Sequence, residues 1–302
     1  AEDTFPVYEM TVTAPITFAM IQNHLEESML IGKPAEIDSQ IVNEKELIFN
    51  EFGESIDDWQ SQPGFNGSFV RGSQGIQVSN WGSGSEWHGA GAMKEIDPIQ
   101  DFEIEMYIYV RTEQPNQSFR ISTNFYDENN NEIGLLRLWD KSAKRVQKVA
   151  EARVGPFVDQ YHNYLISDRN YNVEGQRVWG GILRVTRKGN QFKFYVARIS
   201  QTGKHIETIT ETFNDVNNDY MGRLKFIRID IANYGTTEKP NEIGINSIRV
   251  YRHNSLEVDQ TPYIAYPGDI ITFDTQTEEI LINGEDAMIH KDFISKFFSL
   301  KK

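Results

Sequence analysis

The chain has no cysteine among its 302 residues. That removes disulfides, thiolate metal sites and thiol nucleophiles together. It also has no apolar run approaching the ~18–20 residues of a membrane span, which excludes insertion by a helix. Positive charge is scarce: 30 Lys and Arg stand against 44 Asp and Glu, for a net charge of −14. A general role on nucleic acid or an anionic membrane needs clustered cations, so neither is an expected partner. The six histidines (His24, His88, His162, His205, His253 and His290) make no H-x-H or H-x-x-x-H pair, so no metal site is expected from them. No G-x-S-x-G elbow, phosphate-binding glycine loop or dinucleotide fingerprint occurs.

What is present is β-type patterning. Phe5 to Val12 alternates apolar and polar residues, and Met29-Leu30-Ile31-Gly32-Lys33-Pro34 is an apolar run closed by a turn signal. Glu36 to Lys45 is polar and aperiodic, which marks a boundary. Short β-type runs follow, among them Phe102 to Val110, Phe119 to Phe125, Gly134 to Trp139, Phe192 to Ile199, Leu224 to Ile231 and Ile243 to Tyr251. Turn residues such as Asn66-Gly67, Asp127 to Asn131 and Lys188-Gly189-Asn190 separate them, and no long amphipathic helix intervenes. Ten or more strands over about two hundred residues predict an all-β, antiparallel jelly-roll sandwich of the concanavalin/laminin-G kind.

Near the C-terminal end, Tyr266-Pro267-Gly268-Asp269 leads into the β-rich Ile270 to Phe273. A polar connection, Gln276 to Glu279, precedes a second run, Ile280 to Ile282. That run is closed by Asn283-Gly284, the dipeptide suited to a type I′ turn. Phe293, Ile294, Phe297, Phe298 and Leu300 are expected to back this meander as an apolar cluster. Gly268-Asp269, Asp274, Asn283-Gly284 and the Phe-rich exit to Leu300 resemble the C-terminal part of the siphophage distal tail (Dit) family, over about the last forty residues. Family members continue past this Leu into a Gly and Asn. This chain ends at Lys301-Lys302 and starts at Ala1, so a fragment of a longer protein is expected.

The resemblance implies a smaller discontinuous β domain, residues 1–45 and 256–302, belonging to a homo-oligomeric ring at the tail tip. An inserted carbohydrate-binding-like jelly roll, residues 46–255, is then expected to fold on its own. It implies further a virion protein whose partners are other tail-tip proteins and host cell-wall polysaccharide. A bacterial extracellular glycan-binding module, a degenerate glycosidase and a purely architectural tail protein stand as alternatives.

Sugar recognition needs flat apolar faces with amides and hydroxyls nearby. Trp81, Trp87 and His88 stand in the glycine- and serine-rich stretch Ser79 to Gly89, too polar for a core strand; with Tyr161, Tyr164 and Trp179 they form the candidate site. Arg137, Arg153 and Arg169 are candidates to meet phosphate in an anionic wall polymer. Trp139 follows Leu136 and Leu138 in a strand and is assigned to the core.

No catalytic residue is expected. Glu103 and Glu105 share a strand face about 6–7 Å apart, the separation of a glycosidase pair. Glycosidases on this fold place a third acid three residues later, where this chain has Ile108. A solvated strand face is the reading of those acids. Asp127 to Glu132 offers oxygens for Ca²⁺, but a tight Asn-rich turn explains it more simply, and no cofactor is expected.

Overall fold

The computed structural model describes residues 3–36, 40–52, 56–157, 164–257 and 259–300. Almost every described element is a strand; one three-residue 3₁₀ turn, Met288–His290, is the sole helix among them. Among the described residues no helix is long and apolar enough to cross a membrane. The chain forms two compact units: residues 1–46, 200–206 and 254–302 make one, and residues 47–199 and 207–253 the other.

The smaller unit joins the two ends of the chain. Val7–Thr11 pairs antiparallel with Ile270–Asp274, which pairs in turn with Glu279–Ile282. Phe18–Gln22 and Ser28–Gly32 form a hairpin, and Gln260–Pro262 runs parallel to Gln40–Val42. Met29, Ile31, Ala265, Ile271, Phe273 and Ile280 form its interior, with Phe298. Asn283 and Gly284 both have positive φ, 53° and 82°, as the type I′ turn requires. The expected apolar cluster divides. Phe298 is buried and Phe297 and Leu300 pack against the interior, but Phe293 is 99% exposed and Ile294 82%. Both lie just beyond the 3₁₀ turn on a segment tied to Ser28–Gly32 by backbone bonds such as Asp292 N–H to Leu30 C=O (2.9 Å), which turn their side chains away from the interior.

The larger unit is the antiparallel jelly roll, two eight-stranded sheets packed face to face. Each is a run of seven strands with one more paired off the run: Asn172–Glu174 on Gln147–Val154 in the front sheet and Lys45–Glu51 on Glu242–His253 in the back sheet. The front sheet runs Tyr164–Ile166, Gln147–Val154, Glu132–Asp140, Phe119–Asp127, Leu224–Tyr234, Trp87–Ile99 and Gln60–Ser61. The back sheet is ordered His205–Asn214, Gln191–Ile199, Val178–Lys188, Phe102–Arg111, Glu242–His253, Gly75–Asn80 and Ser68–Gly72. Period-two alternation sends Phe119, Ile121 and Phe125 from the front, and Phe102, Ile104, Met106, Ile108 and Val110 from the back, into one shared interior. The Val178–Lys188 and Gln191–Ile199 hairpin turns through Gly189-Asn190, with Gly189 at φ 57°.

Two buried cations in this interior are held by hydrogen bonds. Arg187 is fully buried and donates to Gln100 C=O, Tyr220 C=O and Gly222 C=O, which pins two turns to the back sheet. Lys148 is likewise fully buried, with its ammonium 2.7 Å from Thr112 Oγ1, and burial pushes its pKa down to about 8.

Candidate functional site

The outward side of the front sheet carries the candidate site. Strand pairing sets it out in rows. Trp87 stands opposite Tyr234. Gly89, Ala232, Arg120, Trp139 and Val149 make the next row. Gly91, Asp230, Ser122, Arg137 and Glu151 follow, and then Met93, Arg228, Asn124, Leu135, Arg153 and Tyr164. These residues alternate with the interior set, so the face is dictated by the same period that builds the core.

At one end, three aromatic rings meet. Trp87 lies edge-on to Tyr234 at 5.3 Å and to Trp139 at 6.5 Å, with interplanar angles of 69° and 89°. Gly89 and Ala232 stand in the next row, and a Cβ on Gly89 would come within 2.1 Å of the Ile231 carbonyl oxygen, so the strands approach closely there. Arg120 lies 5.0 Å over the Trp87 ring, and Lys141 Nζ lies 5.8 Å from Trp139 and 5.4 Å from Tyr234. A hydrogen bond to Glu86 holds the Tyr234 phenol above its ordinary pKa.

The middle of the face is a network of ion pairs. Arg120 reaches Asp230 Oδ2 through Nε and Nη2, both at 2.9 Å. Arg137 pairs with Glu151 and lies 3.4 Å from Tyr164 Oη. Arg153 pairs with Glu132 at 2.9 Å, and Asn124 bridges Glu132 and Arg228. Burial pushes the Tyr126 phenol up to about 12. At the edge, the Phe65 ring occupies the space over Gly91, where a Cβ would come within 2.4 Å of it. The middle of the face is therefore closed, with Ser122, Asn124, Arg153 and Asp230 at most 5% exposed and its cations paired. The half-buried aromatic cluster at one end is the part open to a ligand. It is suited to stacking against a flat polar ligand.

The structure separates the residues singled out from the sequence. Trp87 is half-buried at the start of Trp87–Ile99 and belongs to the aromatic cluster. Tyr164 lies at the far edge of the same face. Tyr161 lies outside the described residues. Trp81 packs against the jelly-roll interior with Lys239 5.9 Å from its ring, so its loop folds back onto the core. His88 is directed inward beside Ala90, is 8% exposed, and has its Nδ1 bound to Glu86 C=O; the ring is not available to a ligand. Trp179 is fully buried in the interior, its Nε1–H bonded to Tyr171 Oη at 3.1 Å, and cannot stack on a sugar. Trp139, assigned to the core, instead stands on the outer face, because Leu136 and Leu138 take the inward phase of its strand. Arg137 and Arg153 join the ion-pair network, whereas Arg169 lies on an exposed turn. Arg120, Lys141, Arg228, Asp230 and Tyr234 were not singled out. Alternation in their strands was the available signal for Arg120, Arg228, Asp230 and Tyr234; Lys141 follows the end of Glu132–Asp140 and carried none.

Glu103 and Glu105 face outward from the back sheet, as their spacing required, but the face is not solvated. Glu103 is 6% exposed and accepts from Thr186 Oγ1 at 3.1 Å, with His253 at 3.6 Å. Glu105 lies between Arg184 at 3.3 Å and Arg249 at 3.6 Å. The Asp127 carboxylate accepts from Asn129 N–H, Asn131 N–H and the Asn131 side chain at 2.8–2.9 Å, so its oxygens close the turn. Among the described residues no group of three His, Asp or Glu could hold a metal ion. A shallow cavity of ≈ 290 Å³ beside that turn shares Glu132 with the front face.

No family model matches the chain, and no curated protein matches its sequence. The fold is similar to that of the CBM2 module of the evolved Dit of Lactobacillus casei BL23 phage J-1. The TM-score is 0.56 at 15% identity, over 72% of this chain and 100% of that one. More remote likenesses include the laminarinase catalytic domain from Thermotoga maritima MSB8 (TM-score 0.41, 13% identity, 70% of this chain and 100% of that one). A lectin from Bauhinia forficata in complex with GalNAc is another (TM-score 0.38, 16% identity, 68% and 97%). The first of these defines the class: an antiparallel jelly-roll sandwich with the fold of that phage module. Identity at this level speaks for the fold alone.

Proposed function

We propose that the chain is a phage tail-tip protein of the distal tail family whose jelly roll touches host surface glycan through its front face. The observation that carries the reading is the outward-facing cluster of Trp87, Tyr234 and Trp139, with the exposed Lys141 beside it. The similar module's own name, as a carbohydrate-binding module of a Dit, supports it. The smaller unit is then the ring framework. Its exposed apolar side chains, among them Phe18, Met20, Ile289, Phe293 and Ile294, supply a surface for other tail-tip proteins or further copies. Binding is non-catalytic: Glu103 and Glu105 are each engaged with cationic or hydroxyl partners, and Ile108 is buried in the interior. Several weak sites on one ring give strong net attachment without a tight single site.

The test is binding of the full chain to a microbial glycan array and to host cell walls, with its mass measured in parallel. Glycan binding without release of reducing sugar is the expected result. Failure to bind any glycan, with retention on isolated virion proteins, favours the architectural reading. The span 46–255 expressed alone should melt cooperatively with a β-type circular dichroism spectrum; an aggregated product contradicts the insertion.

A further inference from the structure

The front face differs in charge from the rest of the chain. The chain as a whole carries −14, yet this face gathers Arg120, Arg137, Arg153, Arg228 and Lys141. Asp230, Glu151 and Glu132 offset the guanidinium groups, which are engaged in the network described above, and Glu86 is engaged with the Tyr234 phenol. Lys141 is different. It is exposed, has no carboxylate partner among the described residues, and makes contact with the rings of Trp139 and Tyr234. Trp139 Nε1 is also buried without a hydrogen-bond partner among the described residues.

This arrangement discriminates between ligands. A neutral sugar stacking on Trp139 or Tyr234 meets the ammonium there and offers it only a hydroxyl acceptor, a weaker partner than an anion. A sugar that brings an anion draws Lys141 off the rings into a charge-assisted pair and leaves the ring faces to its C–H face.

We infer that the glycan taken at this face carries an anionic substituent, a carboxylate or a phosphodiester, met by Lys141 at the Trp87–Tyr234–Trp139 cluster. This rests on the glycan-binding reading and adds the charge class of the ligand. Two sources share the chemistry, uronate-bearing polysaccharides and phosphodiester-linked wall polymers.

The experiment presents the full chain with neutral, uronate-bearing, phosphodiester-bearing and amine-bearing microbial glycans, and measures affinity for the hits at low and high salt. Lys141→Ala, Lys141→Glu and Lys141→Arg are compared, with melting temperature as the control for folding. The expected result is binding to one anionic class, about tenfold weaker in Lys141→Ala and weaker still in Lys141→Glu. Lys141→Arg should retain it, and added salt should weaken it, as for an exposed charge pair. Whichever anionic class binds identifies the source. Neutral glycans bound equally well by Lys141→Glu overturn the inference and leave the glycan-binding reading standing. Amine-bearing glycans bound more tightly by Lys141→Ala overturn it in the same way. Binding to none of the four classes overturns both.

Discussion

The two outward faces of the jelly roll are built alike and end differently. Each carries long polar side chains that alternate with the shared interior, and each pairs arginines with acids. On the back, Glu105 lies between Arg184 and Arg249, and Arg111 reaches Glu242 at 2.7 Å and Glu113 at 3.1 Å. Its tyrosines, Tyr107 and Tyr109, lie along one strand, and Arg184 stacks on Tyr195 at 4.6 Å. On the front, the same kind of network stops at a three-ring cluster beside a lysine that has no carboxylate partner among the described residues. Paired charges satisfy one another across neighbouring strands and contribute little further. A converging set of rings with an unmatched cation leaves interaction capacity unused, and that distinguishes a candidate binding face from a structural one.

The sharpest way to break this distinction is to exchange inside for outside. Trp179→Ala removes the largest fully buried side chain and its bond to Tyr171, and should cost about 3–5 kcal/mol. Trp139→Ala, on the front face, should cost about 1 kcal/mol or less. Chemical denaturation of both variants checks the pair; equal losses would place Trp139 in the core.

Next in size is Lys148, inside the front sheet. Its folded-state pKa of about 8 lies below the unfolded value of 10.5, so between those limits the unfolded chain binds more protons and folding stability rises with pH. Below pH 8 the buried charge is a full penalty, on the order of 3 kcal/mol. Lys148→Met should therefore be more stable than the parent at pH 7, by about 1–2 kcal/mol after loss of the Thr112 bond. That advantage should shrink as pH rises through 8 toward 10.5. A difference that does not change across this window would show that Lys148 is not titrating from a buried site.

The smallest effect is expected on the back face. Glu105→Gln leaves Arg184 and Arg249 without their carboxylate at a partly exposed position and should cost about 1 kcal/mol or less. Glycan binding should be unchanged. Release of reducing sugar by the parent that vanishes in Glu105→Gln would make the back face catalytic and reverse the comparison.

Much of the fold was legible because alternation and turn chemistry are local. Asn283-Gly284, the Gly189-Asn190 hairpin and the inward run Ile104, Met106, Ile108 follow from residues a few positions apart. The site was less legible for two different reasons. Trp139 and Trp179 were misplaced although their strands carried the answer. Trp139 is out of phase with Leu136 and Leu138, and Trp179 is in phase with Leu183 and Val185 across two glycines. Composition of the neighbourhood outweighed period two. The meeting of Trp87 with Tyr234 and Trp139 was not available locally at all, because it depends on which strands lie side by side. His88 shows the same limit: a polar loop precedes it, but it is already inside the strand and directed inward.

The central claim is that the front face, not the back, meets glycan. Its most direct test is binding of the full chain to host cell walls, comparing Trp87→Ala and Trp139→Ala with Tyr107→Ala on the back. Loss of a stacking ring is worth ~1–3 kcal/mol, so each front variant should bind tenfold to roughly a hundredfold more weakly, with Tyr107→Ala indistinguishable from the parent. Full binding by both front variants together with loss in Tyr107→Ala would contradict the account.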